Sequence, residues 1–463
     1  MLDEGLIKDI IMVALSTGGD FAEIFVEDKY NTEITLIGGR VENSISGRDF
    51  GVGIRIFKGF NSVYAYTNQH NRDALIDIAI KAGDAIQGTR QDIVLNFIKY
   101  NYKNINPIEY LPNKISKNKK VDVMREAYEA ADNYSDSISQ VIVRYLDSNQ
   151  NILVANSEGR FAEDERVRTR IAIQSIASRN NEMQTGSCSP GAHMGFEFYD
   201  KIDVKQYGKE ASRIAVTMLN AKPCPGGRFP VIIDNKFGGV IFHEACGHGL
   251  EATSVAKKNS VFADKIGQQV ATNIVTFIDD GTIPNAWGSS NIDDEGEPTK
   301  KNILIEDGIL KGYMIDKLNA RRMRMDVTGS ARRQSYKFAP TSRMTNTYIA
   351  TGKSSPQEII HNTECGIYAK YMGGGSVNPA TGDFNFSVME GYLVKDGKIG
   401  EPVRGATLIG NGPDILYKID MVGNNLEYGQ GMCGSVSGTV PTNVGQPMIR
   451  VSEITVGGRS EEK

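Results

Sequence analysis

The chain reads as an α+β protein, with an α/β-layered N-terminal domain over residues 1–222 and a mainly β C-terminal domain over residues 223–463. Three observations predict this. Helical spacing and period-two alternation of apolar residues take turns through the first half. The stretch Lys222-Pro-Cys-Pro-Gly-Gly-Arg228 then breaks all regular structure. Beyond it the chain is rich in glycine and turn residues, with Asp-Gly pairs flanked by apolar positions.

The first element is an amphipathic helix over residues 3 to 17, where Leu6, Ile7, Ile10, Ile11 and Ala14 share a face and Gly18-Gly19 stops the pattern. Alternation predicts strands at Phe21 to Glu27, Thr32 to Ile37, Val52 to Phe57 and Ser62 to Thr67, and helical spacing returns from Arg72 to Ile86. Residues Gln87 to Lys120 are rich in Asn, Lys and Pro without periodicity and predict an irregular excursion. A helix follows at Val121 to Asn133, then strands at Gln140 to Tyr145, Ile152 to Ala155 and Val167 to Ile176, and a helix at Val204 to Leu219. In the second half, Asp307-Gly308 and Asp396-Gly397 predict two tight hairpins. No repeat of 20 to 50 residues and no heptad pattern is present.

Composition narrows the function classes. A chain of 463 residues suits two or three domains, of which we expect two. Hydrophobic residues at 40% and charged residues at 23% are the balance of an ordinary packed protein. The net charge of -4 offers no global attraction to nucleic acid or to anionic membranes, so neither is an expected partner. No run reaches the roughly 18 apolar residues of a membrane span, and the acidic start Met1-Leu-Asp-Glu4 is unlike an export signal. Five scattered cysteines without CxxC spacing argue against a disulfide framework. Together these predict a cytoplasmic location.

The chemistry concentrates in His243-Glu244-Ala-Cys246-Gly247-His248-Gly249-Leu-Glu251, which holds two of the five histidines. The spacing is HExxxH. On a regular helix an i,i+5 pair lies about 140° apart, against about 40° for i,i+4, so both imidazoles cannot face one ion. Gly247 and Gly249 allow the helix to end or to widen into a π-type turn, which inserts the missing residue. The pair then converges, as on a metal-binding helix. Neutral imidazole is a zinc ligand, a catalytic site keeps three protein ligands and a water, and Glu244 is placed to accept that water's proton. For the third ligand the residues leave Glu251, the acidic cluster Asp293-Asp294-Glu295, or a cysteine thiolate open. Cys433, in Gly429-Gln-Gly-Met-Cys433-Gly434, lies where a backbone can approach closely, although as a residue type it reads first as a small buried apolar group. Tyr336 and Arg332-Arg333 could touch a peptide, but arginines near loops read as solvated surface.

Six segments, HEACGHGLEA, DDEGEPTKKNILIEDG, DKLNARRM, TGSARRQSY, NFSVMEGYLVKDGKIGEPVRGATLIGNG and GMCGSVSG, occur in an order that resembles the TldD/PmbA family across nearly the whole chain. The resemblance is to its TldD branch, which has HExxxH and a distant cysteine. It implies His243, His248 and Cys433 as zinc ligands and Glu244 as catalytic acid and base. It also implies a metalloprotease that acts on small peptides or unfolded protein segments, held as extended strands, and that works as a homodimer or with a PmbA/TldE-type subunit. The PmbA branch lacks the metal motif, so the alternative, a non-catalytic assembly subunit, is opposed by the intact residues. A dinucleotide fold is not supported, because Gly51-Val-Gly53 lacks the third glycine. A Cys433 nucleophile would need its own base.

Overall fold

The structure, a computed structural model, describes residues 2–86, 88, 95–378 and 380–458. It is an α+β fold. Helix α1 (Glu4–Ala14) begins at an Asp3 cap, whose carboxylate accepts from the Gly5 and Leu6 amides, and buries Ile7, Ile10, Ile11 and Ala14. Strands β1 (Phe21–Ile37), β2 (Arg40–Lys58) and β3 (Asn61–Thr67) lead to helix α2 (Arg72–Asp84). The expected excursion at Gln87 to Lys120 lies partly outside the described residues; inside it, β4 (Ile98–Lys99) pairs beside Arg160 and Phe161. Helix α3 (Lys117–Asp132) starts a turn before the expected Val121, because Ser116 caps the Lys119 amide. Then come β5 (Ile138–Asn156), β6 (Arg160–Arg179), β7 (Glu182–Cys188), β8 (Gly191–Ala192), α4 (Phe198–Lys201) and α5 (Val204–Leu219).

These eight strands form one sheet with the path β3-β2-β1-β5-β6-β4. Its strands are longer than alternation predicts. The two stretches expected at Phe21 to Glu27 and Thr32 to Ile37 are one strand, and so are those at Gln140 to Tyr145 and Ile152 to Ala155. Asp28 to Asn31 stay in strand because β1 is paired on both sides, Asp28 with Phe50 of β2 and with Asn151 of β5. A ladder on both edges satisfies the backbone, whatever the side chains.

One sheet face carries the helices. Ile24, Val26, Ile54 and Ile56 pack with α1 and α2, and Ile34, Val143, Tyr145 and Ile171 pack with α3 and α5. The other face is charged and meets the second half of the chain. Arg55 donates to Glu23 at 2.9 Å and to Glu295 at 2.6 Å; Arg166 donates to Asp294 at 2.6 Å; Arg333 donates to Glu23 at 2.9 Å. All six groups are buried.

The second half holds β9 (Lys222–Pro223), β10 (Gly227–Ile233), helix α6 (Val240–Phe242), β11 (Phe277–Asp280), β12 (Lys301–Glu306) and β13 (Ile309–Leu310). They are followed by β14 (Ala331–Arg332), β15 (Thr341–Ser342), β16 (Asn346–Ile349), β17 (Cys365–Val377), β18 (Asp383–Lys395) and β19 (Lys398–Arg404). The last are β20 (Thr407–Asn411), β21 (Ile419–Val422), β22 (Glu427–Ser435), β23 (Gly438–Gln446) and β24 (Ile449–Gly457). One sheet runs β17-β10-β24-β20-β18-β19-β9 with β21 beside β24, and another runs β13-β12-β11-β16-β23-β22. A large apolar core lies among them. Both expected hairpins are present: Asp307 and Gly308 have φ of 48° and 80°, Asp396 and Gly397 of 51° and 70°, the positive pairs that tight two-residue turns require.

Candidate metal centre

The histidine segment enters as α6, opens into a π-turn over His243–Gly247 and tightens into a 3₁₀ turn over His248–Leu250. The His248 amide bonds to the His243 carbonyl, an i,i+5 contact that adds one residue to the turn. The two rings are thereby brought to a centroid separation of 5.3 Å. Gly247 has φ of -56°, so its glycine serves closeness rather than an unusual backbone. A Cβ there would lie 2.2 Å from Met344 Sδ, and one at Gly412 would lie 2.2 Å from the Ala245 carbonyl oxygen. The turn is thus pressed by its neighbours on both flanks.

Against this turn lies the sheet edge. Cys433, on edge strand β22, places Sγ 3.2 Å from His243 Nε2 and 3.3 Å from His248 Nε2. One ligand atom from each of the three residues lies within 4.8 Å of the others. The remaining ring nitrogens are occupied. His243 Nδ1 is 3.0 Å from Thr347 Oγ1, and that hydroxyl is oriented toward the Asn443 carbonyl at 3.5 Å. His248 Nδ1 is 3.0 Å from Glu251 Oε2. A carboxylate only accepts, and a hydroxyl that donates to a carbonyl can accept from the ring. Both Nδ1 atoms thus have a partner that can accept, and both Nε2 atoms face Sγ, the arrangement that orients imidazoles for a metal.

Electrostatics favour the thiolate. Burial pushes the Cys433 thiol up, but the adjoining His243 and His248 outweigh it and hold it well below an ordinary thiol. Burial likewise opposes charge on His248, which Glu251 and Cys433 raise well above the usual imidazole range. The pocket therefore stabilises a sulfur anion between two rings, a donor set suited to zinc. Glu244 has Oε2 3.5 Å from His248 Nε2 and is the most exposed of the four residues, its side chain 28% accessible.

The other third-ligand alternatives are placed elsewhere. Glu251 stands behind His248 rather than beside the thiolate. Asp293 accepts from the Glu295, Glu297 and Ala331 amides, Asp294 from Arg166 and the Arg333 amide, and Glu295 from Arg55 and the Lys317 amide. Arg332 and Arg333 are not surface residues, at 7% and 4% exposure. Arg332 donates to the Met344 and Pro441 carbonyls, and Arg333 belongs to the ion network between the halves. Their carboxylate and carbonyl partners are remote in sequence, which is why a local reading leaves them solvated. Tyr336 is buried too, its amide held by Glu27.

Family models match three stretches: PmbA/TldA metallopeptidase domain 1 at residues 22–86, its central domain at 110–219 and its C-terminal domain at 226–458. A metalloprotease TldD homolog of Haemophilus influenzae is 37% identical over 454 residues, covering 95% of this chain and 93% of that protein. The chain belongs to the TldD/PmbA family. Another family relative, named a zinc metalloprotease TldD homolog in Saccharolobus solfataricus, is 27% identical over 460 residues, 97% of this chain and 99% of that protein. Two solved structures share the fold. One, described as a candidate modulator of a DNA gyrase from Thermotoga maritima, has a TM-score of 0.81 at 22% identity, over 98% of this chain and 100% of that one. The other is TldE from Thermococcus kodakarensis, with a TM-score of 0.79 at 19% identity, over 98% and 100%.

One supporting residue of this TldD/PmbA chain escaped the sequence reading, Thr347. Thr347 sits in a strand of ordinary composition, and nothing in its neighbourhood signals a histidine 104 residues away. Glu251 was legible as a candidate third ligand, whereas the structure places it on His248 Nδ1. No helix among the described residues is long and apolar enough to cross a membrane.

Proposed function

We propose that this chain is a zinc-dependent peptidase acting on small peptides or unfolded protein segments, with His243, His248 and Cys433 as ligands. The observation that carries it is the convergence of two Nε2 atoms on one buried cysteine sulfur, with both Nδ1 atoms occupied. Bound there, zinc supplies a Lewis acid and brings the pKa of a water to about 7. Glu244 holds and moves the proton: it takes one from the attacking water and delivers it to the leaving amine. Thr347 and Glu251 keep each ring in the tautomer that leaves Nε2 free.

Strand β22 gives the substrate a place to lie. Its inner edge pairs with β23 along its whole length. On the outer edge, Tyr428 bridges to Lys236 and the Gln430 carbonyl accepts from Arg170, but Met432 to Gly434 meet no strand among the described residues. An extended peptide adding there would run past Cys433, its backbone read without regard to side chains. The reading includes a cytoplasmic location, residues 1–222 and 223–463 as the two domains, and assembly as a homodimer or with a PmbA/TldE-type subunit. The TldE-like fold also favours a second reading, a non-catalytic assembly subunit; the three converged donors favour the peptidase.

The test is elemental analysis of the purified chain with cleavage of an unstructured peptide before and after chelation. About one zinc per chain and cleavage abolished by chelator is the expected result. Failure to take up zinc on reconstitution would leave the assembly-subunit reading.

A further inference from the structure

Arg343 is among the largest wholly buried side chains and precedes β16, the strand that carries Thr347. Its Nη1 donates to Ser437 Oγ at 2.9 Å and to the Gly438 carbonyl at 2.8 Å, and its Nη2 donates to the Cys433 carbonyl. Cys433 and Gly438 flank the turn between β22 and β23, so one planar fork braces the turn on which the thiolate is mounted. On its other side, Nε faces Glu251 Oε1 at 3.8 Å. Neither of those two atoms has a hydrogen-bond partner, so their contact is electrostatic. The other oxygen of Glu251 holds His248 Nδ1.

The contacts close a ring: guanidinium, Cys433 backbone, Sγ, His248, Glu251, and back to the guanidinium. We propose that Arg343 is a positioning residue that sets two of the three donors, Cys433 and His248, at once; this rests on the zinc reading above. A lysine would keep a counter-charge for Glu251 but, as a point donor, could not hold the Cys433 carbonyl and the Ser437-Gly438 turn together. Residues behind metal ligands change affinity by about 10–100-fold when replaced. A residue that served only the hairpin would lower stability and leave the donors unchanged.

The experiment is titration of the full chain with Co(II), reading both the dissociation constant and the thiolate-to-cobalt charge-transfer band, for wild type and Arg343→Lys, with thermal unfolding alongside. Affinity should fall about 10-fold or more, with a weakened or shifted band. Ser437→Ala, which removes one acceptor and buries no charge, should move both in the same direction by less. Should Arg343→Lys not fold, Ser437→Ala and Glu251→Gln carry the test. Wild-type affinity and band in the folded variants would overturn the positioning role and leave the zinc reading standing. A wild-type chain that takes up neither Co(II) nor Zn(II) would overturn both.

Discussion

Replacing Thr347 by valine isolates the work of one hydroxyl. The two side chains are nearly the same shape, and Thr347 and His243 are 1% and 3% exposed, so no water replaces the lost oxygen. Without the hydroxyl, a proton on Nδ1, the nitrogen now 3.0 Å from Oγ1, has no acceptor. A buried donor left unpaired costs about 1–3 kcal/mol. The apo ring can escape by moving its proton to Nε2, beside Sγ at 3.2 Å, where it meets an acceptor. The metal-bound ring has no such escape, since Nε2 must offer its lone pair. The cost therefore falls on binding, and zinc affinity should drop about 5–150-fold while thermal stability of the metal-free chain changes little. Competition with a chromophoric chelator measures the first quantity and circular dichroism melting the second. Thr347→Ser should restore affinity. Unchanged affinity in Thr347→Val would refute the claim that this bond selects the tautomer.

Glu244→Gln should retain stoichiometric zinc by elemental analysis and lose about 10²–10⁴-fold in peptide cleavage, because the glutamate moves protons and does not ligate; loss of metal would assign it a different role. Cys433→Ala should reduce zinc content while the circular dichroism spectrum is preserved. Gly412→Ala drives a methyl into the Ala245 carbonyl oxygen and should destabilise the chain to denaturant by about 1–3 kcal/mol; a neutral effect would mean the π-turn is not under pressure from that side. Asp279, whose carboxyl burial pushes up to about 6 despite two bonds from Thr345, binds its proton more tightly folded than unfolded. Its contribution is greatest below its unfolded pKa and is lost as pH rises toward 6, so urea titrations of wild type should lose stability relative to Asp279→Asn across that window.

What the sequence disclosed and what it hid divide along one physical line. Local chemistry was legible: the i,i+5 spacing called for the helix to end or to widen into a π-turn, and the structure has the π-turn, while each Asp-Gly pair predicted a tight hairpin and shows its two positive φ values. Helices α1, α2 and α5 followed from apolar spacing because their faces pack on a sheet. Whatever depends on a remote partner was not legible. The polar stretch at Asp28 fell between two expected strands because alternation cannot show that two neighbouring strands hold its backbone. Arg332 and Arg333 looked exposed because their acceptors lie at Met344, Pro441, Glu23 and Asp294. Cys433, plain as a residue type, gained its meaning 185 residues away, beside His248.

The charged seam between the sheet of β1 to β8 and the second half has a mechanical consequence. Arg55 grips Glu23 and Glu295, Arg166 grips Asp294, and Arg333 grips Glu23, all out of reach of solvent. Sliding one half across the other by the width of a single ion pair would strand several dry charges together, and each would cost several kcal/mol. The seam is a latch rather than a hinge. A peptide adding to β22 as proposed would therefore meet two halves already fixed to each other.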